Sequence, residues 1–209
     1  IAYLALFAWP LVGAVLFRTL PTHKAIIWTI LGGYLVLPVG AGIDLPLLPA
    51  FEKTFIPSAT ALLFCLPTLG SLWALFPRER LPKMLTVVFL LGPFATVFTN
   101  GDPQIFGPRF LPGLRPYDAF SFGLSHAVSL VPFLLAQRVL RDEAALRDLL
   151  TALALAGLVY SLPALFEVRM SPQLHTWVYG FFPHSFAQQV RFGGFRPVVF
   201  LGHSLLVGL

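Results

Sequence analysis

The feature that most constrains this chain is a series of long apolar segments, each bounded by proline, glycine or charged residues. Six of them lie at 1–17, 25–43, 55–76, 84–99, 119–137 and 147–166, and a seventh starts at 197. A bilayer offers no water to backbone amides, so such segments cross it as helices rather than as open strands. The sequence therefore predicts an all-α fold: a polytopic transmembrane helix bundle, with six full spans plus the start of a seventh, in a single transmembrane domain over residues 1–209.

Composition supports a membrane protein and argues against a nucleic-acid partner. The chain is 57% hydrophobic and 11% charged, whereas an average soluble domain carries about 25% charged residues. The net charge of +5 comes from basic residues scattered among short loops, without the basic stripe that nucleic acid requires. Membrane lipid is thus the expected surrounding. The one cysteine, Cys65, cannot form a disulfide within the chain.

Both ends of the sequence suggest that this is an internal part of a longer chain. Ile1 stands inside an apolar run and is not preceded by methionine. The last run, from Pro197 to Leu209, has 13 residues, fewer than the roughly 20 that a helical span needs. We therefore expect truncation at both ends.

The distribution of Lys and Arg predicts the orientation. The loops at 18–24, 77–83 and 138–146, with Arg147 at the edge of the last, hold eight basic residues, and the alternate loops hold six. Because positive charge is retained in the cytoplasm, the second set is expected to face outward, with 168–196 as one outward-facing loop. All but Lys53 of this second set are arginines, which suits bidentate binding of phosphate or carboxylate.

The strongest candidate for a chemical site is the stretch from Gln189 to His203. Arg191 and Arg196 flank a Gly-Gly pair, and Pro197 is expected to open an apolar helix that carries His203. Glycine lets a ligand approach the backbone closely, and both guanidinium groups and a helix N-terminus attract an anion such as phosphate. His203 has two interpretations: an ionisable group inside a membrane segment is a functional candidate, or a neutral histidine is bonded to a neighbouring helix.

Four further residues are candidates for substrate binding, each with a structural alternative. Arg109 and Arg115 lie in a turn-rich loop and either bind a substrate phosphate or reach lipid headgroups. Glu167 and Arg169 lie at the end of the sixth run. Glu167 either orients an arginine or acts as a base, or it forms an interfacial ion pair with little effect on stability.

An aromatic, nearly uncharged segment runs from Leu174 to Gln189. Its Trp and Tyr residues are typical of a membrane-interface belt, and a stacking surface for sugar rings is the alternative. His175 and His184 lack the acidic or cysteine neighbours of a metal site, so neither a metal nor a cofactor is expected.

These motifs resemble those of the O-antigen ligase/polymerase-like membrane proteins. The shared pattern is an arginine-rich outward loop, then Arg191-Phe-Gly-Gly, then a new apolar segment. Arg196-Pro197-Val-Val-Phe and Gly202-His203 stand where the family usually has Pro-Asn, as in an exopolysaccharide polymerase-like subset, and Thr99-Asn-Gly-Asp102 is similar to an outer-loop feature of that subset.

The resemblance implies a bacterial enzyme of the inner (plasma) membrane with its active face in the periplasm. Its substrate would be an undecaprenyl-diphosphate-linked glycan, and its reaction a metal-independent glycosyl transfer in polymerisation or ligation of a surface polysaccharide. By resemblance, Arg191 holds the diphosphate and Arg196 assists, while the catalytic base is expected beyond Leu209. A transporter or flippase of lipid-linked sugars is the main alternative, and a structural subunit of an envelope complex is another. The absence of an internal repeat favours the enzyme over the transporter.

Overall fold

A computed structural model describes residues 1–45, 48–183, 185–191 and 193–207, with only the backbone of Arg191, Ser204 and Leu205. Of the described residues, 68% are helical. Within these residues the α-helices are α1 (Ala2–Thr19), α2 (Thr22–Val36), α3 (Phe55–Leu69), α4 (Arg80–Thr99), α5 (Pro116–Val139), α6 (Glu143–Met170) and α7 (Leu174–Tyr179). Short 3₁₀ helices lie at Leu72–Leu75, Phe186–Gln189 and Ser204–Val207.

Four of these helices are long and apolar enough to cross a membrane, namely α1, α4, α5 and α6, with 18, 20, 24 and 28 residues. The predicted class, a helical protein compatible with several membrane spans, agrees with this architecture. Six full spans are not confirmed, because α2 and α3 have 15 residues each and are about 22 Å long. The hydrocarbon core of a bilayer is about 30 Å thick.

Single residues shorten the second and third predicted spans. Leu37 leaves the helical conformation with ψ 150°, as expected for a residue that precedes proline, here Pro38. Gly70 ends α3 in the left-handed conformation with φ 72°, which glycine adopts without steric cost. The apolar runs continue past these breaks, so hydrophobicity alone overestimated both helices.

The prediction of a helix that opens at Pro197 is wrong for the described residues. Residues 196–203 form turns and irregular structure, and the one helical element described after them is the 3₁₀ helix Ser204–Val207. The start of a seventh span is therefore not present in the described part. His203, which was expected on that helix, lies in irregular structure instead.

In the part of the chain that the structure describes, three two-stranded antiparallel hairpins lie in the connections between helices. β1 (Gly42–Ile43) pairs with β2 (Phe51–Glu52) after α2. β3 (Gln104–Phe106) pairs with β4 (Arg109–Leu111) between α4 and α5. β5 (Val190–Arg191) pairs with β6 (Gly194–Phe195) after α7. The predicted outward loop 168–196 thus begins inside α6 and contains α7, a 3₁₀ helix and a hairpin.

Close helix packing in the first half of the bundle depends on small residues. The indole of Trp9 in α1 donates a hydrogen bond to the carbonyl of Thr29 in α2, 3.1 Å away. A Cβ atom at Gly33 would lie 2.3 Å from Cγ of Pro57, so the backbones of α2 and α3 approach closely only because Gly33 has no side chain. Glycine serves membrane helix packing in this way.

At the other end of α2, Asp148 of α6 holds two basic residues. Its carboxylate lies 2.9 Å from Nε2 of His23 and 3.1 Å from Nζ of Lys24. These contacts join α2 to α6 close to where both helices begin. The ends of α2 and α6 therefore lie together at the opposite end of the bundle.

Candidate functional site

The best-defined polar site is a cluster at the end of the bundle where α2 and α6 terminate and α3 begins. We call Lys53, Glu167, His175 and Tyr179 the polar cluster. All four are buried, with exposed fractions of 6%, 1%, 1% and 8% respectively. Buried polar groups of this kind require partners, because leaving them without hydrogen bonds is costly.

Glu167 binds backbone amides through both carboxylate oxygens. Oε1 accepts from the N–H of Leu174 at 3.0 Å. Oε2 accepts from the N–H groups of Val198 and Val199 at 2.8 and 2.7 Å. Hydrogen bonds to a charged acceptor are stronger than neutral ones. The carboxylate therefore fixes both α7 and the segment after Pro197 against the end of α6.

The backbone near Glu167 adopts unusual conformations. Among the described non-glycine residues, Ser171 and Val199 have positive φ angles of 86° and 52°. Positive φ is unfavourable for a β-branched residue such as valine. The N–H of Ser171 donates to the carbonyl of Glu167 at 2.9 Å, and the N–H of Val199 donates to its carboxylate. Glu167 thus stabilises both strained positions.

Lys53 binds two backbone carbonyl groups at the same end of the bundle. It follows β2, and its ammonium group donates to the carbonyl of Leu37 at 2.9 Å and to the carbonyl of Phe200. No carboxylate forms an ion pair with it among the residues that the structure covers. Because burial removes water from the ammonium group, it lowers the pKa of Lys53 to about 7.

The other two members of the polar cluster hold α7 against the end of α2. Nε2 of His175 accepts from the N–H of Val39 at 3.2 Å, and its Nδ1 lies 2.8 Å from the carbonyl of Phe181. The acceptor role of Nε2 makes Nδ1 the protonated nitrogen, so the ring is neutral. The hydroxyl of Tyr179 donates to the carbonyl of Val36 at 2.6 Å.

The aromatic segment 174–189 is therefore divided in its role. His175 and Tyr179 belong to the interior, whereas Trp177 is exposed and stacks edge-on against Phe166 at 5.5 Å. Only the exposed part remains available for a membrane-interface belt or a sugar-stacking surface. His184 lies outside the described residues. No group of three or more His, Cys, Asp or Glu side chains in the described part could hold a metal ion.

The predicted anion site at Pro197 differs from the structure. The N–H groups of Val198 and Val199, which were expected to face a phosphate, are bound to Glu167 instead. Glu167 itself was expected to orient an arginine or act as a base, but its oxygens accept only backbone N–H groups among the described contacts. An internal carboxylate thus occupies the position proposed for the ligand.

The predicted arginines lie on the surface or outside the described side chains. Arg109, Arg115, Arg169 and Arg196 are exposed, as is His203, and none of these arginines forms an ion pair with a described acid. The N–H of Arg196 donates to the carbonyl of Gln189 at 2.9 Å.

The predicted Gly-Gly pair lies in a hairpin rather than against a bound group. β5 and β6 pair Arg191 with Gly194, and Gly193 turns the chain with φ 78°. The hairpin therefore places Arg191 opposite Gly194 and Arg196 beside Gln189, two positions apart on the paired strands. The side chain of Arg191 lies outside the described atoms, so its predicted convergence with Arg196 stays a prediction.

A long apolar groove runs down α6 from the polar cluster. It has a volume of about 570 Å³ and passes between α2 and α6. Small residues of α6, among them Ala156, Gly157 and Ala164, leave the space open. Its lining extends from Leu153 to Val168, which is about 22 Å along the helix.

The groove and the polar cluster share the segment after Arg196. Pro197 and Leu201 line the groove, and the hydroxyl of Tyr160 at its wall accepts from the N–H of Phe200 at 3.0 Å. Phe200 is also a partner of Lys53. One end of the groove therefore lies one residue from the exposed Arg196.

Sequence reasoning missed Lys53 and the role of Tyr160. Lys53 is a lysine, whereas the other basic residues of the predicted outward loops are arginines. That difference was the only feature of the sequence that could have identified Lys53 as part of the site. The fold and site together define a helical protein that has, among its described residues, four helices that could span a membrane and a buried polar cluster at one end. Comparisons with protein-family models, curated proteins and solved structures found no match to this chain.

Proposed function

We propose that this protein binds a lipid-linked diphosphate glycan and transfers the glycan, as expected for an O-antigen ligase/polymerase-like glycosyltransferase. The observation that carries the proposal is the apolar groove beside α6 that ends at Pro197, next to the exposed Arg196. An amphiphile with an anionic head and a long hydrocarbon chain has the matching chemistry, because its chain needs an apolar channel and its head a cation.

In this proposal the arginines bind the diphosphate and stabilise charge on it as a leaving group. Guanidinium stays protonated and offers paired N–H donors. It is therefore better suited to binding a diphosphate than to transferring a proton. Arg191 and Arg196 are the catalytic candidates, and Arg169, which is exposed at the end of α6, assists binding. Glu167 holds the loop that carries the arginines and does not act as the base. The site would face the periplasm from the bacterial inner membrane.

The test is conservative replacement of the arginines in the intact protein. Arg191→Lys and Arg196→Lys keep the charge but remove the two-pronged donor geometry. Cells that depend on the protein for surface polysaccharide should lose polymer or ligated product on gels, with the protein still present in the membrane. Arg80→Lys is the matched control, since Arg80 is exposed at the start of α4, and it should leave product unchanged.

The outcome distinguishes the enzyme from the flippase. Normal product from both Arg191→Lys and Arg196→Lys would exclude a diphosphate clamp. If purified wild-type protein in nanodiscs moves a lipid-linked oligosaccharide across the bilayer but forms no glycosidic bond with an added acceptor glycan, the transporter is favoured. Bond formation that requires Arg191 or Arg196 supports the transferase.

A further inference from the structure

The hairpin between α4 and α5 exposes large apolar side chains on both of its faces. Its register pairs Ile105 with Phe110, Gln104 with Leu111, and Phe106 with Arg109. Paired residues share a face and successive residues alternate. Ile105 and Phe110 therefore lie on one face, and Phe106, Leu111 and Arg109 lie on the other.

None of these apolar side chains is covered by the described part of the chain. Ile105, Phe106, Phe110 and Leu111 have exposed fractions of 75%, 62%, 63% and 51%. A folded partner or a flat surface would cover one face and leave the other in water. An environment that surrounds the hairpin, as lipid does, covers both.

The hairpin cannot move far from the two candidate spans that it connects. The N–H of Leu114 donates to the carbonyl of Asn100 at 2.9 Å, which closes the base of the loop. A Cβ atom on Gly113 would lie 1.8 Å from the carbonyl oxygen of Gly101, so the two chain segments are in direct contact there. Four residues separate α4 from β3, at most about 13 Å of extended chain. With α4 and α5 as membrane spans, the strands would therefore lie near the membrane surface.

Backbone chemistry limits the depth of the hairpin. A two-stranded sheet has two unpaired edges, and their N–H and C=O groups are costly to place in hydrocarbon. Pro103, Pro108 and Pro112 remove three N–H donors at the base and the tip. Arg109 stands beside the tip and requires a polar or anionic partner. The boundary between headgroups and acyl chains satisfies both requirements, because it contains water and phosphate as well as apolar volume.

We propose that the hairpin formed by residues 104–111 is a membrane anchor in the headgroup–acyl boundary, with apolar side chains of both faces in lipid and Arg109 on a phospholipid phosphate. This gives Arg109 a lipid partner rather than the substrate. The proposal holds or fails independently of the glycosyl-transfer function, since it depends only on this hairpin and the two helices.

The test measures the depth of spin labels in vesicles. Cys65, which is buried, is replaced by Ala, and single cysteines are placed by Ile105→Cys and Phe106→Cys, one on each face. The protein is reconstituted in phosphatidylcholine–phosphatidylglycerol vesicles. Collisions of each label with oxygen and with a water-soluble nickel complex are then compared. Glu143→Cys provides the aqueous reference and Leu158→Cys the lipid reference, since both positions are exposed, one at the start and one in the middle of α6.

Both hairpin labels should show nickel accessibility several-fold below that at 143 and oxygen accessibility closer to that at 158. Nickel accessibility equal to that at 143 on either face would overturn the proposal, because it would leave that face in water. If the labels show spin–spin broadening and low nickel accessibility, and both effects disappear when the protein is diluted in lipid, the hairpin contacts a second copy of the chain and not lipid. If Arg109→Gln leaves the depth of the spin label at position 105 unchanged, the contact between Arg109 and a phospholipid phosphate is excluded.

Discussion

Replacing Glu167 with alanine tests the central contact of the structure. The substitution removes the acceptor of three backbone N–H groups, those of Leu174, Val198 and Val199. A buried N–H without an acceptor costs about 1–3 kcal/mol. Three of them amount to about 3–9 kcal/mol. The contact of Leu174 is only partly buried, and entry of water into the space of the lost side chain also favours the lower figure. We expect Glu167→Ala to destabilise the protein by about 3 kcal/mol or more.

Glu167→Gln should have a smaller effect. The side-chain oxygen of glutamine still accepts from the N–H groups of Val198 and Val199. Its NH₂ group, however, faces the N–H of Leu174, and because both are donors no hydrogen bond forms between them. One orphaned N–H corresponds to about 1–3 kcal/mol. Glu143→Ala is the matched control on the same helix, because its carboxylate is exposed and its one described ion pair is with Arg147, one turn away. Such pairs contribute about 0.5 kcal/mol or less.

The assay is unfolding of the purified protein in mixed micelles with increasing denaturing detergent, followed by tryptophan fluorescence. Proteolysis of the segment 171–200 in native micelles reports local opening of the same region. The expected order of stability is wild type and Glu143→Ala, then Glu167→Gln, then Glu167→Ala. If both Glu167 variants unfold with the wild type and are cleaved no faster, the carboxylate does not hold this end of the bundle.

Three further outcomes are expected. For Lys53, the folded pKa of about 7 lies below the ordinary value of 10.5, so the unfolded chain binds more protons between these values. The free energy of unfolding should rise through that pH window relative to Lys53→Met, by up to about 1.4 kcal/mol per pH unit in detergent-unfolding titrations. Gly33→Ala should lower the melting temperature, since its Cβ would overlap Pro57, whereas Gly157→Ala meets nothing within 4 Å and should match or exceed wild type. A cysteine at 188 should react with an impermeant maleimide from outside the cell and one at 80 should not, and the reverse would invert the predicted orientation.

The helical class could be predicted from the sequence because it depends on local composition. Four apolar runs appear as helices long enough for a membrane span, and their hydrophobicity is a property of consecutive residues. Helix length was predicted less well. The breaks at Leu37 and Gly70 are decided by backbone conformation at single residues inside apolar runs, where hydropathy does not change.

The site was harder to predict, since its contacts join distant segments. Glu167 binds the backbone of residues more than thirty positions away, and Lys53 binds the carbonyl of Phe200, 147 positions away. Backbone N–H and C=O groups are present at almost every residue, so no side-chain pattern shows which of them a buried carboxylate or ammonium group will bind. The arginines, in contrast, could be selected from the sequence because of their residue type.

Composition and the spacing of apolar runs by themselves determine that the chain forms helices suited to lipid, because the bilayer requires every backbone amide to be satisfied within its own segment. The tertiary structure alone decides that the segment after Pro197 is not a helix. Val199 has φ 52° there, which a right-handed helix cannot include. The carboxylate of Glu167 holds the N–H groups of Val198 and Val199 in this conformation, and it reaches them only when α6 and the final segment are folded together.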